Sequence, residues 1–182
     1  MGKHPVQTRV IHPATARRGG FIKVLIATDG SRFAQAALDS VAEREWADDT
    51  QFLVLHVVQP LPATYIGLSH SFGDVSAMVH EAGRTFGEQM VSKAVAQLTE
   101  TCGTNIAGLV TAGSIEGRIV QIADEWQADM IIVGSHGRTG LAKFFIGSIA
   151  EAVLARAHCS VEIIRLTDTT AKSHTHGQRA AG

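Results

Sequence analysis

The sequence predicts an α/β fold: a doubly wound, five-stranded parallel sheet with helices on both faces, arranged as a Rossmann-like sandwich. Three observations predict it. Short apolar runs rich in β-branched residues recur along the chain. Stretches with apolar residues at helical spacing separate them. A glycine-crowded loop, with Gly134, Gly137, Gly140 and Gly147, follows one of the apolar runs and precedes a helical stretch.

The elements follow in order. "FIKVLIA" (21–27) is the first strand, and it ends in "TDGS". "RFAQAALDSVAERE" then reads as a helix, with Ala34, Ala37, Leu38 and Val41 on one face. "QFLVLHVV" (51–58) is the second strand, closed by Gln59-Pro60. After a loop holding Pro60 and Pro62 comes a long helix, whose expected stripe is Val75, Val79, Ala82, Phe86, Met90, Ala94 and Leu98. Gly83 and Gly87 lie inside it, where each costs about 1 kcal/mol against Ala. Close packing on a neighbour is the simplest account of them. "NIAGLVTA" (105–112) is the third strand, and Ile115, Ile119, Ile122 and Trp126 stripe the helix after it. "MIIVG" (130–134) is the fourth strand, the glycine loop follows, and a helix starts at about Gly147. "SVEIIRL" (160–166) is the fifth strand.

Composition sets the class. The chain has 182 residues, 45% hydrophobic and 18% charged, which suits one globular domain with a sizeable core. No apolar run reaches membrane-spanning length, and the first twenty residues lack the apolar segment of a secretory signal. Cys102 and Cys159 are too few and too isolated for a disulfide framework or a zinc site, so free thiols in a reducing cytoplasm are expected. Charge is uneven. Residues 1–20 carry +4 and residues 167–182 carry +1, so the net −1 leaves −6 on residues 21–166. An acidic core argues against a nucleic-acid partner. Pro5, Pro13 and Gly19-Gly20 argue against an amphipathic helix in the basic stretch. The expected organisation is a flexible basic tail (1–20), one domain (21–166) and a flexible polar tail (167–182).

In a doubly wound sheet, ligands bind beyond the carboxyl ends of the strands, where the winding reverses. With strand order 3-2-1-4-5, that point falls between "TDGS" and "GSHG". A glycine-rich turn ahead of a helix presents N–H groups to an anion, and the helix dipole adds to them. Glycine loops also serve as plain tight turns, so the spacing has to discriminate. No Walker loop and no G-x-G-x-x-G after the first strand occurs. The pattern present is G-x-x-G-x9-G-S, from Gly134, Gly137, Gly147 and Ser148.

With "KVLIATDGS", "LHVV" and "ADMIIVGSHGRTGLAKFFIGSIAEAVLARAHCSV", that pattern resembles the universal stress protein family over about residues 20–166. The resemblance implies strand order 3-2-1-4-5 and ATP binding with Mg2+ or Mn2+. It implies that Asp29 lies near the ribose and the phosphate-bound metal, and that the Val57 backbone meets the adenine edge. Gly134 and Gly137 would let the loop close over phosphates. Gly147 and Ser148 would reach phosphate oxygens from the helix start, and Ala27, Thr28 and Ser135 would line the crevice. Arg138 either pairs with a terminal phosphate or faces solvent, as does His136. Lys143 reads as a solvated charge, and His174 and His176 as tail residues rather than metal ligands.

The leading functional expectation is a cytoplasmic ATP-binding stress-response regulator or sensor. The alternatives are a slow ATPase or autophosphorylating protein, with Ser148 or a nearby hydroxyl as acceptor, and an interaction module that binds no nucleotide. No separate catalytic constellation is evident. The resemblance also implies a homodimer through the fifth strand, Ser160 to Leu166. Two departures bear on it: Ser160 replaces a usual proline, and Glu162 a usual aliphatic residue. On an edge strand Glu162 would oppose its own copy or meet Arg165 of the other.

Overall fold

The computed structural model describes residues 6–11, 22–60, 72–137 and 146–166. Its strands are β1 (Val6–Ile11), β2 (Lys23–Ala27), β3 (Gln51–Val58), β4 (Ile106–Ala112), β5 (Met130–Gly134) and β6 (Ser160–Leu166). Its helices are α1 (Arg32–Ala42), α2 (Phe72–Cys102), α3 (Ile115–Glu125) and α4 (Ser148–Arg156). The five strands β2 to β6 are mutually parallel and run across the sheet as β4-β3-β2-β5-β6, the expected 3-2-1-4-5 order.

Strand alternation divides the core into two layers. Val24, Ile26, Phe52, Val54, Ile132 and Ile164 face α1 and α2. Leu25, Leu53, Leu55, Ile131, Val133, Val161 and Ile163 face α3 and α4. Because both faces are covered, β2 and β5 read as unbroken apolar runs rather than alternating ones. The predicted α1 stripe is buried throughout, and Ile119 and Ile122 bury that of α3. Cys159 is buried just ahead of β6, and burial pushes its thiol up to about 11, so it stays protonated at neutral pH.

The expected stripe of α2 holds in its second half, where Ala94 and Leu98 are buried, and fails in the middle of the helix. Val79 and Phe86 are 45% and 52% exposed, and Ala82 also faces outward. Val91, outside the expected stripe, is buried. The two glycines lead this inner face. A Cβ on Gly87 would stand 2.5 Å from His56 Cδ2, and one on Gly83 would stand 3.0 Å from Val58 Cγ1. The helix lies so close to the end of β3 that no side chain fits there, so the glycines, not the aromatic ring, mark the contact.

A sixth strand, absent from the sequence-based expectation, completes the sheet. β1 pairs antiparallel with β6, from Val6 opposite Leu166 to Ile11 opposite Val161. Val6, Thr8 and Val10 alternate with Gln7 and Arg9, which is the period of a strand. β6 is therefore bonded on both sides and is not the sheet edge.

Glu162 does not serve as an edge charge. Its side chain is fully buried and faces α1, where Arg44 meets both carboxylate oxygens and donates to Ser40 Oγ at 2.7 Å. The pair ties the end of α1 to the middle of β6. Removing one partner of such a pair strands the other charge, whereas replacing both by apolar groups does not. Arg44→Ala is expected to destabilise the chain by about 3 kcal/mol in urea unfolding. Adding Glu162→Leu to that variant is expected to recover most of the loss; a double variant no more stable than Arg44→Ala would remove the ion pair from the account.

Candidate functional site

β2 ends at Ala27, and the chain turns sharply through Thr28, Asp29 and Gly30. Gly30 has φ of 74°, which a side chain rarely adopts. Asp29 Oδ1 accepts the Ser31 amide at 2.9 Å, and Ser31 Oγ caps α1 by accepting the Ala34 amide at 3.2 Å. The Asp-Gly-Ser sequence thus folds into a turn that starts a helix and fixes the Asp29 carboxylate. Its other oxygen, Oδ2, lies 3.0 Å from where a Cβ on Gly137 would be. The turn after β2 and the loop after β5 therefore converge.

Gly134 makes that convergence possible. A Cβ there would stand 2.6 Å from the Phe33 carbonyl carbon and 2.9 Å from the Ala34 nitrogen. The start of α1 rests directly on the end of β5. The loop then closes on itself. Ser135 donates its amide to Ile164 O, and its carbonyl accepts the Gly147 amide, both at 2.7 Å. Its hydroxyl lies 3.1 Å from His136 Nδ1. Ser135 is buried with these groups engaged inside the protein, so it pins the two ends of the loop together. The His136 ring packs on Phe33, with centroids 5.0 Å apart, and the Arg32 guanidinium stands over the same Phe33 ring at 4.8 Å. Arg138 and Lys143, like His174 and His176, lie outside the described residues.

Gly147 caps α4 without a side-chain hydrogen bond, and Ser148 is exposed at its first position. Glu151 is the residue whose amide reaches back to the Gly147 carbonyl. The amides of Ser148, Ile149 and Ala150 precede it, so they have no intrahelical acceptor. They form the positive end of the helix dipole.

The third wall is β3. Gln51 donates its amide to Ile22 O and Leu55 O accepts the Thr28 amide, at 2.8 and 2.9 Å, so odd-numbered residues of β3 direct their peptide groups toward β2. Val57 is buried and continues that direction past the point where β2 turns away. Thr28 is buried too, and its hydroxyl lies 3.8 Å from Met90 Sδ. Ala27, Thr28, Asp29, Val57, Gly134, Ser135, Gly137, Gly147 and Ser148 thus lie at the carboxyl end of the sheet, where a doubly wound fold has its ligand crevice. His56, Met90 and Phe33 support it as well. Sequence reading did not assign them, because they belong to the interfaces behind the crevice and carry no loop signature.

The described residues offer no cluster of three or more His, Cys, Asp or Glu side chains for a metal ion. Asp29 is the carboxylate at the crevice, so a cation there would draw its other ligands from phosphate oxygens and water, as Mg2+ commonly does. No described helix is long and apolar enough to cross a membrane.

Comparison with known proteins agrees with this fold. The model of the universal stress protein family matches residues 20–165. The universal stress protein MJ0531 of Methanocaldococcus jannaschii is 29% identical over 143 residues, covering 79% of this chain and 81% of that protein. The solved structure of MJ0577 superposes with a TM-score of 0.70 at 24% identity, covering 82% of this chain and 99% of that one. An Arabidopsis thaliana family member with AMP bound has a TM-score of 0.55 at 18% identity, covering 84% and 97%. An Archaeoglobus fulgidus universal stress protein in complex with dAMP has a TM-score of 0.51 at 21% identity, covering 79% and 98%.

The two loop glycines are expected to respond differently to a methyl group. At Gly134 it meets main chain that cannot yield, and overpacking of this kind costs about 1–3 kcal/mol. At Gly137, among the described residues, it meets the end of the Asp29 side chain. Thermal unfolding of ligand-free protein is expected to show a clear loss for Gly134→Ala and little change for Gly137→Ala. Equal melting temperatures would contradict the close approach of α1 to β5.

Proposed function

The chain belongs to the universal stress protein family, and we propose that it is a nucleotide-binding member whose crevice takes ATP, with the response of the protein tied to occupancy. The observation that carries this reading is the convergence of Asp29, Gly137 and the N-terminal amides of α4 at the carboxyl end of the sheet, with the end of β3 at Val57 beside them. Solved relatives bound to AMP and dAMP support the ligand class.

Each part of a nucleotide finds matching chemistry. Phosphate oxygens approach the Ser148, Ile149 and Ala150 amides and the Ser148 hydroxyl, where partial positive charge is concentrated. Gly137 presents no Cβ beside the Asp29 carboxylate. Asp29 accepts from a ribose hydroxyl or holds a phosphate-bound Mg2+ or Mn2+. The Val57 peptide group offers an N–H and a C=O side by side to the edge of a base. We assign these residues to binding and orienting the nucleotide. A regulator or sensor working in the cytoplasm follows more naturally from such a site than a hydrolase.

Mass spectrometry of ligand released from purified protein is expected to find an adenine nucleotide. Saturating ATP with Mg2+, at about 100 times Kd, is expected to stabilise the chain by about 2.7 kcal/mol. Gly137→Val is expected to fold and to lose that gain, because the side chain stands beside the Asp29 carboxylate in the space given to phosphate. Asp29→Asn is expected to lose the Mg2+-dependent part alone. A normal ATP response from Gly137→Val would move the ligand elsewhere. Steady accumulation of ADP would favour the hydrolase reading.

The assembly reading follows from β1. A second copy docking on β6 has to take the place of β1, since β6 otherwise has no free edge. We propose that the homodimer through Ser160 to Leu166 forms only where β1 is displaced. Its removal would expose the main-chain groups of a strand whose Val161, Ile163 and Ile164 are buried in the core, which is a template for pairing. Sedimentation at micromolar concentration is expected to find the full chain monomeric and a variant lacking residues 1–20 dimeric. A truncated chain that stays monomeric would overturn this.

A further inference from the structure

We infer that His56 is a positioning residue: by bonding the Thr28 carbonyl, it keeps the Val57 amide open for a ligand. β2 and β3 form a parallel ladder from Lys23 opposite Gln51 to Ala27 opposite Leu55. Thr28 donates its amide to Leu55 O at 2.9 Å. In a regular parallel ladder, the carbonyl of the same residue accepts the amide two positions further along the neighbouring strand, here that of Val57. Among the described residues no such bond forms. The Thr28 carbonyl is met instead by His56 Nδ1, at 2.8 Å. A carbonyl only accepts, so Nδ1 carries the proton and donates it.

The surroundings of His56 are built for this. The residue is 6% exposed and lies on the face of β3 that packs against α2. Gly87 of α2 leaves space for the imidazole, since a Cβ there would stand 2.5 Å from Cδ2 and 3.4 Å from Nε2. A glycine inside a helix is unfavourable on its own account. Its placement over the ring of a histidine that reaches round to the Thr28 carbonyl, just past the end of β2, links α2 to the crevice. Without that side-chain donor, the Thr28 carbonyl and the Val57 amide would satisfy each other and the ladder would close by one more bond. With it, β3 presents a donor and an acceptor on one edge, which is what a base with an acceptor beside an amino group requires.

The inference rests on the nucleotide reading above, and two measurements separate their failures. The variants are His56→Phe, which keeps ring volume and loses the donor, and His56→Asn, whose amide nitrogen can stand where Nδ1 stands. In ligand-free wild type, amide hydrogen exchange is expected to be faster at Val57 than at Leu55. It is expected to slow at Val57 in His56→Phe and to remain fast in His56→Asn. AMP affinity, which leaves out the terminal phosphates, is expected to fall about tenfold in His56→Phe, the loss of one hydrogen bond, and to change little in His56→Asn. A protected Val57 amide in wild type would overturn the inference, as would unchanged AMP affinity in a folded His56→Phe. If wild type binds no nucleotide yet Val57 exchanges as described, the geometry stands and the nucleotide reading fails. If His56→Phe does not fold, wild-type exchange at Val57 and AMP binding by His56→Asn still decide the matter.

Discussion

The close approach of α1 to the end of β5 is the constraint on which the crevice depends. Gly134 has the Phe33 main chain where a Cβ would be. Because nothing stands between them, the turn that starts α1 reaches the loop that leaves β5. Asp29 then comes within contact of Gly137, and Ser135 can bond both Ile164 and Gly147. A side chain at Gly134 would push these parts away from one another. The first glycine of the signature is therefore a packing residue that aligns two loops. Gly147 is a packing residue as well, since a Cβ there would stand 3.0 Å from Ser135 O, whereas Gly137 faces the Asp29 carboxylate.

The opposite wall uses the same device. Gly83 and Gly87 let α2 lie against the end of β3, and Gly87 seats the His56 ring. Both walls combine a missing Cβ with a hydrogen bond that holds a strand end in place. Rigid supports of this kind suit a site that must present main-chain groups accurately, because a peptide group can be aimed only by fixing the chain that carries it. Far from the crevice, the buried Arg44–Glu162 pair fixes α1 to β6. The helix is thus anchored at both ends, by backbone contact at its start and by charge at its finish.

Strand order, the helices and the loops that meet at the carboxyl end of the sheet were legible in the sequence because they rest on local signals. Apolar runs mark β2 to β6, "TDGS" marks a turn with its cap, and the spacing of Gly134, Gly137, Gly147 and Ser148 marks the loop. What escaped depends on contacts between elements. Phe86 suits a core stripe by hydropathy, yet the sheet comes too close for it and Gly87 takes the inner place. Glu162 looked like a deterrent to edge pairing because its partner, Arg44, is 118 residues away along the chain. β1 was hidden in a basic stretch bracketed by Pro5 and Pro13, and its short alternation became a strand only with β6 beside it. His56 stood within the quoted "LHVV", but its bond to Thr28 cannot be read from either segment alone.

The central claim is that one crevice, at the carboxyl ends of β2, β3 and β5, receives the nucleotide. Amide chemical-shift mapping during titration with ATP and Mg2+ tests it most directly. The account predicts that the largest changes fall on Asp29, Val57, Gly137, Ser148 and Ile149 together, with β4 and the far end of α1 little affected. Changes confined to another face of the sheet, or to Asp29 and Gly137 without Val57 and Ser148, would contradict it.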